Sequence, residues 1–303
     1  MPKSTIAGCW HRFSIGAVNI SLRSDCHSIV DEYLSLYAPY RRDGAESPAM
    51  GAIEVEIKAR RRQPWPRGPF TLRSRHAPDF QVRSRHEVLP HLEWYINWQI
   101  IASRRDYLLL HASSLETDGQ AIILPGDPGS GKSTLTAGLL SMGWSYLCDE
   151  FALIDPETCR VLPYPRALSI KEGSFPIVDR LGLPLCRKTP YQAAAKGRVA
   201  FLNPLDLRAD VVGKPAPVRW VVFPKYVAGA TPTLQPLTRS ESAHELARQC
   251  FNARVFEARS LHVFAEITRG AGCYRLRSGE ITATCRLIEQ LVRTGGLGRA
   301  RCA

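Results

Sequence analysis

The sequence predicts an α/β fold with a mixed sheet arranged around one glycine-rich turn, preceded by a smaller α+β region. Three observations carry this. The apolar run Ala121-Ile122-Ile123-Leu124 leads into Gly126-Asp127-Pro128-Gly129-Ser130-Gly131-Lys132-Ser133, and Leu135, Leu139 and Leu140 follow at helical spacing, giving a strand, turn and helix in succession. Beyond residue 144, short apolar segments follow one another too closely for a crossover helix between each pair, which calls for antiparallel as well as parallel pairing. Before residue 106 the periodicity is first strand-like and then helical, with no comparable turn.

In chain order, Ile53, Val55 and Ile57 alternate with Glu54, Glu56 and Lys58, the pattern of a half-buried strand. The Arg- and Pro-rich stretch Arg60 to Pro69 reads as a loop. Leu92, Tyr95, Ile96, Gln99 and Ile100 share one helical face, predicting a helix from Pro90 to about Ser103, with Trp94, Tyr95 and Trp98 as core packing. From Tyr107 the pattern changes to a strand at Leu108-Leu109-Leu110, a turn at Thr117-Asp118-Gly119 and a buried strand at Ala121 to Leu124. After the glycine-rich turn come a helix ended by Gly143, a strand from Trp144 to Cys148, and a hairpin from Phe151 to Leu162 turning at Asp155-Pro156-Glu157-Thr158. Gly173 to Gly213 has weak periodicity and reads as a long irregular, functional segment. Strands at Val218 to Tyr226 and Leu234 to Leu237 follow, then a helix opened by a capping box of Ser242 with Glu245. A helix at Arg259 to Arg269, a strand near Cys273 to Arg277 and a helix from Ile281 to Arg293 complete the pattern. The expected divisions are 1–105, 106–294 and a disordered Gly-rich tail, 295–303.

Composition narrows the function classes. The 303 residues are 45% hydrophobic and 22% charged, as in soluble globular proteins, and no apolar run approaches membrane-spanning length. Met1 to Trp10 lacks the apolar middle of a secretory signal, so the cytoplasm is the expected compartment. The nine cysteines show no metal-ligand spacing and read as free thiols. A net charge of +12 favours anionic partners. The Arg runs lack the aromatic and glycine pattern of RNA-binding modules, so nucleic acid is not the expected one.

The turn matches GxxxxGK[ST], the P-loop or Walker A pattern, in its proper context between a strand and a helix. Backbone N–H groups of Gly126, Asp127, Gly129, Ser130 and Gly131 would face phosphate oxygens, with Lys132 on the terminal phosphates, Ser133 on magnesium and Thr134 in the first helical turn. ATP and Mg2+ are therefore the expected cofactors. Asp149 and Glu150 stand 17 and 18 residues beyond Lys132, at the end of the next strand. If that strand runs with the loop strand, the two carboxylates finish on the loop's edge of the sheet, where one could hold magnesium and the other accept a proton. The plain alternative is an acidic turn opening the hairpin. His111 by itself is uninformative, as a lone His more often satisfies a core or sheet edge. Arg166 and Lys171 could neutralise transferring phosphate or be surface cations.

Together, Leu110-His111-Ala112, the loop Gly126 to Ser133, and Asp149-Glu150 resemble the HPr kinase/phosphorylase superfamily, especially its smaller HPr-kinase-related (type A-like) members. The resemblance covers about Leu108 to Lys171 well and later residues loosely. It implies the fold shared with phosphoenolpyruvate carboxykinase and γ-phosphoryl transfer from ATP to a hydroxyl, usually a Ser of a protein or peptide. It also implies Asp149 as general base, Glu150 as a magnesium-side carboxylate, and His111 near the transferred phosphate. Three departures stand out: Glu150 replaces the usual Asp, Ser169 and Lys171 replace the Glu and Arg of a later segment, and Lys196-Gly197-Arg198 stands for the Pro-Gly-Arg of the substrate-binding loop. The second departure argues against a phosphorylase activity. Similar relatives include kinases acting on a Ser of a lasso-peptide precursor, which makes an acidic or Ser-bearing peptide or protein the leading acceptor, with Arg166, Lys171, Lys196 and Arg198 as contacts. A homo-oligomer fits the family. A small-molecule or sugar kinase, or a nucleotide-binding regulatory protein with little turnover, are the competing readings.

Overall fold

The computed structural model describes residues 9–45, 50–59, 69–193 and 197–296. It divides into two compact units, one formed by the chain up to Arg104 together with Cys186–Phe201, the other by Arg105–Leu185 and Leu202 onward. The segment Arg60 to Gly68, most of the expected loop, lies outside the described residues, as do Lys196 and residues 297–303 of the expected tail.

The first unit is built on strands β1 (Trp10–Ile15), β2 (Val18–Ser24), β3 (Arg41–Ala45), β4 (Ile53–Ala59), β5 (Phe70–Ser74) and β6 (Ala77–Val82), with helices α1 (His27–Tyr37) and α2 (Arg85–Ser103). The sheet order is β3-β1-β2-β4-β5-β6. β2 and β4 are parallel and the other pairs antiparallel. Ile53, Val55 and Ile57 are buried as their alternation requires. Helix α2 starts five residues before the expected Pro90, because Glu87 sits in its first turn and Val88 and Leu89 are buried alongside Leu92 and Ile96. Of its aromatic stripe, Tyr95 is buried, but Trp94 and Trp98 are 50% and 36% exposed. Core packing thus holds for Tyr95, while Trp94 lies over Phe80 near the surface.

The second unit contains β7 (Leu108–Leu110), β8 (Ala112–Thr117), β9 (Gln120–Pro125), α3 (Lys132–Ser141), β10 (Ser145–Cys148), β11 (Ala152–Ile154), β12 (Arg160–Leu162), β13 (Leu168–Lys171) and α4 (Phe175–Arg180). The segment expected to be irregular carries α4 in this unit and two further strands, β14 (Leu185–Ala193) and β15 (Gly197–Leu202), nearly all of whose residues belong to the first unit. Its burial is irregular because few of its apolar residues recur at a fixed period, which hid these elements. The chain continues with β16 (Ala216–Tyr226), β17 (Thr233–Pro236), α5 (Arg239–Arg248), α6 (Ala253–Phe256), α7 (Ala258–Gly270), β18 (Gly272–Ser278) and α8 (Ile281–Arg293). The capping box lies four residues earlier than expected. Thr238 and Glu241 make the reciprocal bonds, while Ser242 is buried and bonds the Thr238 carbonyl. Eight described cysteines are free thiols, and no helix among the described residues is long and apolar enough to cross a membrane.

A mixed sheet organises this unit, in the order β10-β8-β9-β16-β12-β11-β7, with β18 also on β16 and β17 on β18. β9, β16 and β18 are parallel neighbours, whereas β8 is antiparallel to both β9 and β10. β10 therefore runs in the direction of β9 with one strand between them. The ends of β9, β10 and β16 share one edge. Helices α3 and α8 cover Leu124, Trp220, Val222 and Leu276, and Leu135 and Leu139 are nearly fully buried in this layer, each contributing about 2 kcal/mol of transfer free energy.

Gly138 fixes how closely α3 approaches α8. A Cβ there would stand 2.6 Å from Cys285 Sγ and 3.0 Å from Ile281. Gly138→Val should lower unfolding free energy by about 2 kcal/mol, with Cys285→Ala in the same chain restoring part of the loss, as read by urea denaturation.

Candidate functional site

The loop is shaped by backbone freedom at two positions. Gly129 and Gly131 have φ of 90° and 95°, and Gly131 is the N-cap of α3, a conformation an L side chain resists by about 1–2 kcal/mol. The loop enters from the buried end of β9 and leads into the N-terminus of α3, the kind of place that binds anions. Contrary to expectation, the Gly126 and Ser130 N–H groups donate to the His111 and Asp127 carbonyls, at 3.2 and 3.1 Å. Lys132 Nζ donates to the carbonyls of Gly126 and Asp127, at 2.5 and 3.1 Å, so its charge is held over the turn. Ser130 Oγ is buried and has no hydrogen-bond partner among the described residues. An orphaned hydroxyl inside such a turn fits a ligand rich in acceptor oxygens.

Asp149 directly follows β10 and is buried. Its Oδ2 accepts from Ser133 Oγ at 2.8 Å and its Oδ1 accepts from Ser113 Oγ. The strand order explains the meeting: Ser113 stands near the start of β8 opposite Leu124, beside both the loop strand and β10. Burial pushes the Asp149 carboxyl above its ordinary range, the Glu150 charge adds to this, and the two serines and Lys132 pull the other way. Glu150 itself has φ of 74°. Non-glycine residues seldom adopt that conformation, and at functional sites it marks stored strain.

His111 is the joint between β7 and β8, two strands of different neighbourhoods in the same sheet. Its carbonyl accepts from Gly126 N–H at 3.2 Å and its N–H donates to the Gln249 carbonyl at 2.7 Å. Burial, then the Lys132 charge, lowers the imidazole pKa against the opposing effects of Glu150, Gln249 and Asp127. The ring is therefore neutral at physiological pH and sits 5.4 Å from Phe251.

Three groups in this site carry no motif. Gln249 Nε2 donates to Asp127 Oδ1 at 2.9 Å. Asn252 accepts from Leu109 N–H and donates to the Tyr107 carbonyl, both at 2.9 Å. Thr134 and Ser174 hydroxyls lie 2.8 Å apart, which brings the segment following Lys171 to the first turn of α3. Gln249 and Asn252 arrive from more than a hundred residues away, beyond the reach of local pattern. Ser113 was accessible in principle, since it stands two residues past His111 in a strand whose residues alternate faces.

The structure thus brings Gly126, Asp127, Gly129, Ser130, Gly131, Lys132, Ser133, Thr134, His111, Asp149 and Glu150 to one region of the second unit. Lys171 is exposed at the end of β13. Arg166 is buried, its Nη1 donating to Tyr164 Oη at 3.1 Å and its carbonyl accepting from Tyr146 Oη at 2.8 Å. Arg198 is exposed on β15 in the first unit, and Lys196 lies outside the described residues. No cluster of three His, Cys, Asp or Glu that could cage a metal occurs among the described residues. Magnesium does not need one, because it binds through one or two protein oxygens and completes its shell with phosphate and water. Ser133 and the Asp149-Glu150 pair carry oxygens that could serve in this way.

No family model matches this chain, and no curated protein matches it. Among solved structures, the HPr(Ser) kinase/phosphatase from Coxiella burnetii is similar at 15% identity, covering 61% of this chain and 94% of that one, with a TM-score of 0.31. A likeness of that size fixes neither fold nor activity here.

The upward shift of Asp149 has a stability consequence with a definite sign. An unfolded Asp ionises near about pH 4, whereas the folded group holds its proton to higher pH. Stability is therefore lost as pH rises from the unfolded value through the folded one, and the loss stays complete above it. Asp149→Asn should match wild type in thermal unfolding below about pH 4 and be the more stable protein at pH 8.

Proposed function

We propose that this protein is an ATP- and magnesium-dependent kinase, of HPr-kinase-like type, that transfers the γ-phosphoryl group to a Ser hydroxyl of a protein or ribosomally made precursor peptide. The observation that carries the reading is the buried Asp149 carboxylate held by Ser133 of the loop itself. It supports the reading because a carboxylate able to take a proton lies within hydrogen-bonding distance of the first turn after the glycine-rich loop. The motif resemblance at His111, Gly126 to Ser133 and Asp149-Glu150 supports the same conclusion.

In this reading the loop N–H groups and Lys132 hold the triphosphate. Ser133, with Glu150, would hold magnesium, which when bound would supply positive charge against the phosphates. Asp149 takes the proton from the acceptor hydroxyl. Burial raises its pKa, and the ionised form of such a group is a stronger base than an exposed carboxylate. Neutral His111 beside Lys132 can donate a hydrogen bond to a phosphate oxygen without adding charge. The excess of basic residues suits an acidic peptide as acceptor. The free thiols suit a reducing compartment, the cytoplasm.

Incubation with ATP, magnesium and Ser-bearing acidic peptides should add the mass of one phosphate to the peptide. Lys132→Ala should abolish the addition, and Asp149→Asn should slow it about 10²–10⁴-fold. Full activity in Asp149→Asn would remove Asp149 as the base. Phosphate appearing on small metabolites while peptides stay unmodified would favour a small-molecule kinase, and tight ATP binding without acceptor-dependent turnover a regulatory role. Because rate requires ionised Asp149, kcat/KM should fall as pH drops, with the midpoint above the ordinary carboxylate range of about 4, and this limb should vanish in the residual activity of Asp149→Asn.

A further inference from the structure

The phosphate loop has two flanks. On one, β8 and β10 deliver Ser113 and Asp149. On the other, β16 runs parallel to β9 and ends at Tyr226. The Tyr226 N–H donates to the Ser130 carbonyl at 3.1 Å, tying the end of β16 to the loop. A Cβ on Gly131 would meet Tyr226 Cβ at 3.4 Å, and one on Gly126 would lie 3.7 Å from the Pro224 carbonyl. β16 therefore lines the loop along several residues. Most large side chains around it are buried, including Trp220, Val222, Tyr274 and Leu276. The Tyr226 ring is 52% exposed and takes part in no ring contact among the described residues.

We propose that Tyr226 is the platform on which the base of the nucleoside triphosphate stacks. The inference rests on the phosphate-loop reading given above. A triphosphate whose terminal, metal-bearing end lies toward Asp149 and Ser133 must send its sugar and base away from that flank, and the opposite flank ends in an exposed aromatic ring anchored to the loop by its own backbone. Every base has a π-face, so a ring that reads the base by stacking accepts adenine and guanine alike. The site is accordingly built for affinity toward nucleoside triphosphates in general.

The test is calorimetric titration of the intact chain, with magnesium, against ATP, GTP and inorganic tripolyphosphate, in wild type, Tyr226→Ala and Tyr226→Phe. Tyr226→Ala should weaken ATP and GTP about 5- to 150-fold, the span of base–aromatic stacking, and leave tripolyphosphate binding unchanged. Tyr226→Phe should keep wild-type affinity for all three. Unchanged tripolyphosphate binding also shows that the loop of the Ala variant is intact. Unaltered ATP affinity in Tyr226→Ala overturns the proposal, as does an equal loss for ATP and tripolyphosphate, which would mean that Tyr226 acts through the shape of the loop. Wild type that binds tripolyphosphate as tightly as ATP has no base site, which overturns it too. Wild type that binds none of the three overturns the phosphate-loop reading itself, a result distinct from the others.

Discussion

The contact between Asp149 and Ser133 is the constraint on which the rest of the site depends. A carboxylate this deeply buried is costly unless its oxygens are satisfied, and here one oxygen accepts a hydrogen bond from Ser133 of the loop helix and the other from Ser113 of β8. Three segments far apart in sequence are thereby fixed to one atom group: the start of β8, the first residue pair of α3, and the end of β10. The antiparallel insertion of β8 between β9 and β10 makes this geometry available. Had β10 paired directly with β9, Ser113 would have had no place beside the carboxylate.

The charges around that contact act on their neighbours in opposite senses. Lys132 lowers the imidazole pKa of His111 and pulls that of Asp149 down, while Glu150 does the reverse to each. Lys132 donates to two carbonyls of its own loop, which holds its charge in place over the turn. Such a balance is sensitive to a newly arriving anion, because one added group changes the preferred protonation of several others. The left-handed backbone at Glu150 belongs to the same economy, turning the chain sharply between a strand and the hairpin that follows.

Much of this was legible in the sequence where signals were local. The loop, the helix behind it, and the strands ending in Cys148 and Tyr226 follow from short apolar runs bounded by Gly or by acidic residues. The expected last helix, from about Ile281 to Arg293, coincides with α8, whose N-cap Glu280 accepts from the Thr282 and Ala283 N–H groups. What stayed hidden depended on pairing across the chain. The sequence does not mark β8 as a strand of its own between Leu110 and the turn at Thr117, since Ser113, Ser114 and Leu115 are all buried and show no alternation. Trp94 and Trp98 were assigned to the core by residue type, but the face of α2 that is buried is fixed by Val88, Leu92 and Ile96. Pro90 was taken as a helix start, although it lies in the second turn of a helix whose first turn is polar. The capping box shifted for a similar reason: Ser242 and Glu245 have the right spacing, yet Thr238 precedes the first helical residue and Ser242 does not.

Gln249 closes α5 and touches the loop through Asp127 while its backbone carbonyl holds His111. One residue thus grips both the turn and the strand joint at its entrance. The helix behind it acts as a lever with its short arm on the phosphate loop. Any event that displaces α5, including pressure from a molecule resting on its outer surface, must either carry Asp127 and His111 with it or release them.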